Sequence, residues 1–275
     1  MRSSRRSLLA AGLVGWGAAA CGTSDPAPSR AAGARRVRYA SGAHRFGELH
    51  LPQGTARGTV VTIHGGYWSS QYTLSLMTPI ARTLQRAGWA VWNLEYRGLG
   101  DGGGWPHTFE DVAAGVDHVR ALDVPHDDVR VLGHSAGGHL AVWAAARTDA
   151  TPGGAPRVRP ARVVSLAGVL DLTHGYAEQL GGGAVEQLMG GSPTAVPRRY
   201  RLGDPALLVP AGCPVACVRG RDDTTVPRDQ STRYVALDRA AGGTASFTEV
   251  GGDHFTIIDP TASLWRTTRR LLEAR

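Results

Sequence analysis

The chain has 275 residues, 42% hydrophobic and 19% charged, enough apolar material for one sizeable globular domain. All 30 basic residues are arginine and they outnumber 23 acidic ones for a formal charge of +7. They are scattered, with no basic stripe interleaved with aromatics, which argues against nucleic acid as a partner.

Residues 1–20 read as an export signal rather than part of a fold. Arg2, Arg5 and Arg6 precede an uncharged run from Ser7 to Ala20, too short for a membrane span of ~20 apolar residues. Without these three arginines the remaining 27 face 23 acids, a charge of +4. Ser4-Arg5-Arg6-Ser7-Leu8-Leu9 resembles a twin-arginine signal. Ala18-Ala19-Ala20-Cys21 resembles a bacterial lipobox, with Ala18 where such boxes carry leucine. Acylated Cys21 would anchor the protein to a membrane outside the cytoplasm; the alternative is a secreted protein cut near Ala20. Residues 21–36 are small, polar and proline-containing, as a flexible tether is. The compact domain is expected over 37–275.

From Val37, apolar runs of strand length alternate with helical patterns. Arg38–Ala40 and Phe46–Leu51 predict an opening hairpin, Thr59–Ile63 a buried strand, Leu74–Arg86 a helix ending before Gly88, and Trp89–Leu94 the next strand. A helix is predicted over Phe109–Leu122, with Thr108 as N-cap and Asp111 in its first turn. Strands at Val129–Gly133, Arg162–Ala167, Pro214–Arg219 and Ser246–Val250 follow, with helices over Leu140–Ala146, Asp229–Ala240 and Ala262–Ala274. Such alternation implies an α/β fold: a mostly parallel twisted sheet, helices on both faces, and an antiparallel N-terminal edge. Residues 172–210 break the rhythm with glycines, prolines and a helix near Ala184–Met189, and read as a small cap over the strand ends. Ligands of such sheets bind at the carboxyl ends of the strands.

Gly133-His134-Ser135-Ala136-Gly137 lies between a strand and a helix and fits G-x-S-x-G, the nucleophile elbow. A turn this sharp forces strained backbone angles on the serine and leaves no room for side chains two residues away. Ser135 is therefore the candidate nucleophile, placed at a helix N-terminus that favours developing negative charge. His64-Gly65-Gly66-Tyr67-Trp68 follows an earlier strand. Its backbone can supply N–H donors to an oxyanion, with Gly66 and Tyr67 expected as donors, Gly65 as a substitute, and Ala136 as the second side of the hole. His64 reads as a residue pinning that loop.

The proton carrier belongs in a loop after a late strand, and among ten histidines His254 meets that description. His134 and His139 flank the elbow, and sequence neighbours of a nucleophile are expected to point away from it; His174, in the cap, is a possible substrate contact. The orienting carboxylate is expected in Gly220-Arg221-Asp222-Asp223-Thr224-Thr225-Val226-Pro227, with Asp223 preferred to Asp222 for its spacing from the glycine and the proline. The order Ser135, Asp223, His254 is that of α/β-hydrolases. Trp68, Trp105 and Tyr176 are expected to rim the substrate pocket. Cys213 and Cys217, four strand residues apart, lie about 13 Å from each other in an extended chain and are expected to be free thiols. Neither they nor any other cluster suggests a metal, and no cofactor is implied.

His64-Gly-Gly-Tyr-Trp68, Gly133-His-Ser-Ala-Gly-Gly-His-Leu140 and Asp253-His-Phe-Thr-Ile-Ile258 together resemble the esterase/lipase branch of the α/β-hydrolase superfamily, closest to kynurenine formamidase (arylformamidase)-like and BD-FAE-like enzymes. The resemblance runs from about Val37 onward. It implies hydrolysis of a small carboxylic ester, or alternatively an N-formyl aryl amide, through an acyl-enzyme on Ser135. The export signal favours the ester, because tryptophan catabolism is cytoplasmic. The reading from another class is an anchored binding protein without turnover, which would have no need of nucleophile, base, orienter and donors together.

Overall fold

The computed structural model describes residues 33–274; the export signal, Cys21 and most of the tether lie outside them. Eight strands form one sheet: β1 (Arg35–Arg38), β2 (Phe46–His50), β3 (Thr59–Ile63), β4 (Ala90–Leu94), β5 (Val129–His134), β6 (Arg162–Leu166), β7 (Val215–Gly220) and β8 (Ser246–Val250). Their spatial order is β1-β2-β4-β3-β5-β6-β7-β8. The pairs β1–β2 and β2–β4 are antiparallel, and every pair from β4 through β8 is parallel. This is the mostly parallel sheet with an antiparallel edge expected from the alternating pattern, in the α/β-hydrolase arrangement that the resemblance implies.

The strands read as continuous apolar runs because both faces are covered. Side chains alternate between two cores. Val61, Ile63, Val131, Val163 and Cys217 enter the larger one, and Val60, Leu132, Val164, Ala216 and Val218 the other. Helices α1 (Thr78–Arg86) and α8 (Trp265–Glu273) close the second core through Ile80, Leu84, Trp265 and Leu272. Helices α2 (His107–Asp117), α3 (Ala136–Ala145) and α7 (Arg228–Ala240) close the first through Phe109, Val112, Leu140 and Tyr234.

Several predicted boundaries move for local reasons. The helix expected over 74–86 is a 3₁₀ turn, Leu74–Met77, followed by α1, with Pro79 in the first turn of α1. Proline there restarts a helix, because it offers no N–H to the turn before. Thr108 does not cap α2, which begins one residue earlier. Its hydroxyl accepts from Gly104 N at 2.9 Å and donates to Arg97 O at 2.7 Å, fastening the preceding loop instead. Asp111, expected to serve the helix dipole, is fully buried and pairs with Arg97 (2.7 and 2.9 Å) and Arg45 (2.8 Å).

Residues 172–203 fold as three short helices: α4 (Leu172–Ala177), α5 (Leu180–Met189) and α6 (Pro197–Gly203). The regular part of α5 is Ala184–Met189, because Gly181, Gly182 and Gly183 are all left-handed (φ +65°, +64°, +86°). Polar tethers fasten this segment. Buried Asp204 accepts from Leu172 N, Thr173 N, Thr173 Oγ1 and Ala206 N at 2.9–3.1 Å. Arg233 of α7 donates to Asp171 at 2.9 Å, and Trp143 of α3 to Leu202 O at 2.9 Å. Cys213 and Cys217 are free thiols. Among the described residues no helix is long and apolar enough to cross a membrane.

Candidate active site

Four loops leave the carboxyl ends of β3, β5, β7 and β8, and they carry Gly65–Trp68, Ser135, Asp223 and His254. At the end of β5, Ser135 has φ +54° and ψ −120°, a conformation that L-residues adopt only under constraint, and starts α3. The flanking glycines show the constraint in space. A Cβ on Gly133 would lie 2.0 Å from Gly137 O, and one on Gly137 would lie 2.2 Å from Ile63 O. Ser135 N donates to Leu166 O at 2.8 Å, tying the elbow to β6.

The loop after β3 crosses directly over the elbow: a Cβ on Gly65 would stand 2.9 Å from Ser135 Cβ. Gly66, Tyr67 and Trp68 are consecutive left-handed residues (φ +108°, +53°, +56°), two of them carrying side chains. Such a run persists only where its surroundings over-determine it. His64 does the pinning expected of it. Its ring stacks on Tyr96 at 4.3 Å, its Nδ1 contacts Gly65 O at 2.8 Å, and its Nε2 meets Glu95 Oε1 at 2.9 Å. Glu95 Oε2 also accepts from Leu74 N at 3.0 Å, so one buried carboxylate organises the base of the loop.

The loops after β7 and β8 bring Asp223 and His254 together. His254 Nδ1 donates to Asp223 Oδ2 at 2.8 Å, while Asp223 Oδ1 accepts from Thr225 N (2.8 Å) and Val226 N (3.0 Å). Burial raises the Asp223 carboxyl, but these hydrogen bonds outweigh it and hold the group below the usual carboxylate range. Asp222 is exposed. Ser135 and His254 are each 5% exposed.

Two histidines set aside in the sequence turn out to face the site's framework. The His134 ring does not point away: it lies 4.6 Å from the His254 ring and donates from Nε2 to His254 O at 2.9 Å. Burial, with the field of His254, lowers its imidazole to about 3, so it stays neutral beside the second histidine. His139 accepts from Trp68 Nε1 at 3.1 Å and donates from Nε2 to Gly203 O at 2.9 Å. Burial lowers it to about 4. No local sequence signal marks these contacts, which exist only once the loops are folded.

The expected pocket residues divide. Trp68 is 1% exposed and belongs to the core, so it holds the loop rather than walling a pocket. Trp105 is half-buried against Phe109 and lines a cavity of about 450 Å³ with Thr151, Val196, Arg198, Arg199 and Leu202, beyond the end of α3 opposite the elbow. Tyr176 is half-buried on α4. The aromatics exposed near the catalytic loops are Tyr67, Tyr72 and Phe255. His174 is not free for substrate, since its Nε2 pairs with Asp229 (2.7 Å) and Glu178 (3.3 Å). These three are the one group among the described residues with the spacing of metal ligands, and they are already bonded to one another as a link between α4 and α7.

Comparison with known proteins bears on the fold and the family. The chain resembles a truncated carbohydrate esterase from gut microbiota (22% identity, TM-score 0.74, covering 86% of this chain and 94% of that one). It also resembles Esterase B from Lactobacillus rhamnosis (20%, TM-score 0.70, 85% and 81%). A third likeness is to an acetyl ester-xyloside bifunctional hydrolase from Caldicellulosiruptor lactoaceticus (18%, TM-score 0.68, 86% and 93%). At these identities the likeness is one of fold. No curated protein matches the chain. The BD-FAE family model matches residues 48–236, from β2 into α7 and across the elbow, the loop after β3 and Asp223, and the chain therefore belongs to the BD-FAE family of α/β-hydrolases.

Proposed function

We propose that this protein is a serine carboxylesterase that cleaves a small carboxylic ester through an acyl-enzyme. The observation that carries the reading is the 2.8 Å pairing of His254 with Asp223 beside an elbow that presents Ser135 at φ +54°. Asp223 fixes the imidazole tautomer with Nδ1 protonated, which leaves the Nε2 lone pair to take the Ser135 proton. Ser135 Oγ attacks the acyl carbon, and the N–H groups of Ala136, Gly66 and Tyr67 receive the charge on the carbonyl oxygen. The ester C–O bond breaks as His254 returns its proton to the departing alkoxide. Water, deprotonated by His254, then attacks the acyl-enzyme, releasing the acid and restoring Ser135. Several similar solved enzymes carry esterase names and none of those cited is named for an amide, which favours an ester over an N-formyl aryl amide.

The test is labelling by a fluorophosphonate together with turnover of p-nitrophenyl acetate, p-nitrophenyl octanoate and N-formyl-kynurenine. Labelling and ester turnover are expected, and Ser135→Ala should remove the first and lower the second by a factor on the order of 10⁴–10⁶. A fold that binds esters but neither labels nor turns over would instead be a binding protein. From the twin-arginine-like and lipobox-like residues 4–21 we also propose that the enzyme works outside the cytoplasm on a lipid-modified Cys21, the alternative being secretion after cleavage near Ala20. Incorporation of a palmitate analogue that is lost in Cys21→Ala would support that placement, and no incorporation would refute it.

A further inference from the structure

The left-handed run Gly66–Trp68 is held by contacts from outside the loop, and two of these lead to residues 172–203, one directly and one through His139 of α3. The first is steric. The Tyr67 ring lies against Gly181, where an added Cβ would stand 2.5 Å from Tyr67 Cδ1 and Cε1. Gly181 is left-handed (φ +65°) and is followed by Gly182 in the same conformation (φ +64°), yet a Cβ on Gly182 would meet nothing within 4 Å. Backbone conformation alone therefore requires glycine equally at both positions, and only Gly181 has a second reason to lack a side chain. The second contact is polar. His139, one turn into α3, accepts from Trp68 Nε1 and donates to Gly203 O at the end of α6. Both ring nitrogens are used, which demands the neutral imidazole, and burial keeps His139 neutral at any pH above about 4.

We propose that residues 172–203 act as the positioning element of the oxyanion loop, with Gly181 setting where Tyr67 lies and His139 bridging Trp68 to Gly203. This rests on the assignment of the Gly66 and Tyr67 N–H groups as oxyanion donors. A movement of α5 or α6, as when a bulky acyl or leaving group enters beneath them, reaches those donors through two rigid contacts. Shifting a donor weakens charge stabilisation in the transition state and leaves ground-state binding largely intact, so the change belongs in kcat rather than KM.

The experiment compares Gly181→Ala with Gly182→Ala on p-nitrophenyl acetate, each alone and in a Tyr67→Ala background. The two glycine variants share one backbone penalty, to which Gly181→Ala adds the clash with the Tyr67 ring, so it should lose at least as much thermal stability as Gly182→Ala. Gly181→Ala is expected to lower kcat about 10-fold or more with KM within about 3-fold, while Gly182→Ala keeps the parent kcat. In the Tyr67→Ala background Gly181→Ala should have no further effect on kcat, because the ring it would displace is gone. Equal kcat for the two glycine variants in an active parent, or an undiminished effect of Gly181→Ala without the Tyr67 ring, would overturn the inference. A parent that neither labels with fluorophosphonate nor hydrolyses the ester would overturn the proposed function, and this inference with it.

Discussion

Helix α3, which starts at Ser135, and helix α5, which begins against Tyr67, are held in place by different forces. Around α3 the backbone is packed against backbone. Positions 133, 137 and 138 have no room for a single carbon, and residues Ala136 to Ala144 are buried without exception. Helix α5 begins with three left-handed glycines, of which Gly182 faces open space and Gly183 lies near only the end of the Gln179 side chain. The regular turns of α5 pack Val185, Leu188 and Met189 into the larger core, and polar tethers fasten its neighbours: Asp204 to α4, Arg233 to Asp171, His139 to Gly203. Backbone packed on backbone leaves the elbow no room to move, whereas a segment that starts on left-handed glycines and is held by side-chain contacts has more. In the proposed mechanism the Ser135 hydroxyl is therefore the more tightly fixed group, and the Gly66 and Tyr67 donors the ones that residues 172–203 position.

The contrast can be broken at several points. The largest effect is expected on the rigid side, at the orienting carboxylate. Asp223→Asn should lower kcat about 10⁴-fold by allowing the wrong imidazole tautomer, while exposed Asp222→Asn stays within about 2-fold; equal effects in steady-state kinetics would refute the pairing read from the structure. Next is Gly137→Ala, whose Cβ would meet Ile63 O at 2.2 Å. Urea unfolding should show a loss of more than about 4 kcal/mol, against about 1–2 kcal/mol for Gly182→Ala, where the left-handed strain acts alone. Similar losses would mean that the two regions do not differ in the way described.

A smaller effect, on the tethered side, comes from Asp204. Burial lifts its carboxyl from 3.8 to about 6, although four hydrogen bonds pull the other way. Because the folded value exceeds the unfolded one, the fold disfavours the ionised form. The stabilising contribution is full at low pH and is lost as pH rises from about 4 through 6. Asp204→Asn has no proton to lose there. The stability of the parent relative to this variant should therefore fall by about 2 kcal/mol between pH 4 and pH 7. Chemical denaturation at the two pH values measures it, and a difference that rises with pH would reverse the assignment.

What could be read from the chain alone follows from the range of the interactions. Gly133-His-Ser-Ala-Gly137 is legible because its requirement is local: each glycine is excluded by backbone within four residues or by the next strand. Asp223 and His254 were legible because short loops after parallel strands must end at one edge of the sheet. Thr108 and Asp111 were misread because a local role, capping or dipole, competes with a tertiary one, and here Arg97 and Arg45 win both the hydroxyl and the carboxylate or its neighbourhood. His134, His139, Glu95 and Gly181 carry no local mark at all. Their partners are 120, 64, 31 and 114 residues away or nearly so, at distances no pattern of period 2 or 3.6 encodes.

Strand β1 has a consequence for how the molecule behaves among its own copies. Among the described residues it occupies one border of the sheet with the sequence Arg35-Arg-Val-Arg38, three exposed arginines on four residues, and none of these residues adds a strand to its outer side. A second sheet arriving there would have to bring its own border alongside this positive row, and two such borders repel each other. The protein can thus be concentrated without stacking edge to edge, and replacing Arg36 and Arg38 by threonine would open that route to polymerisation.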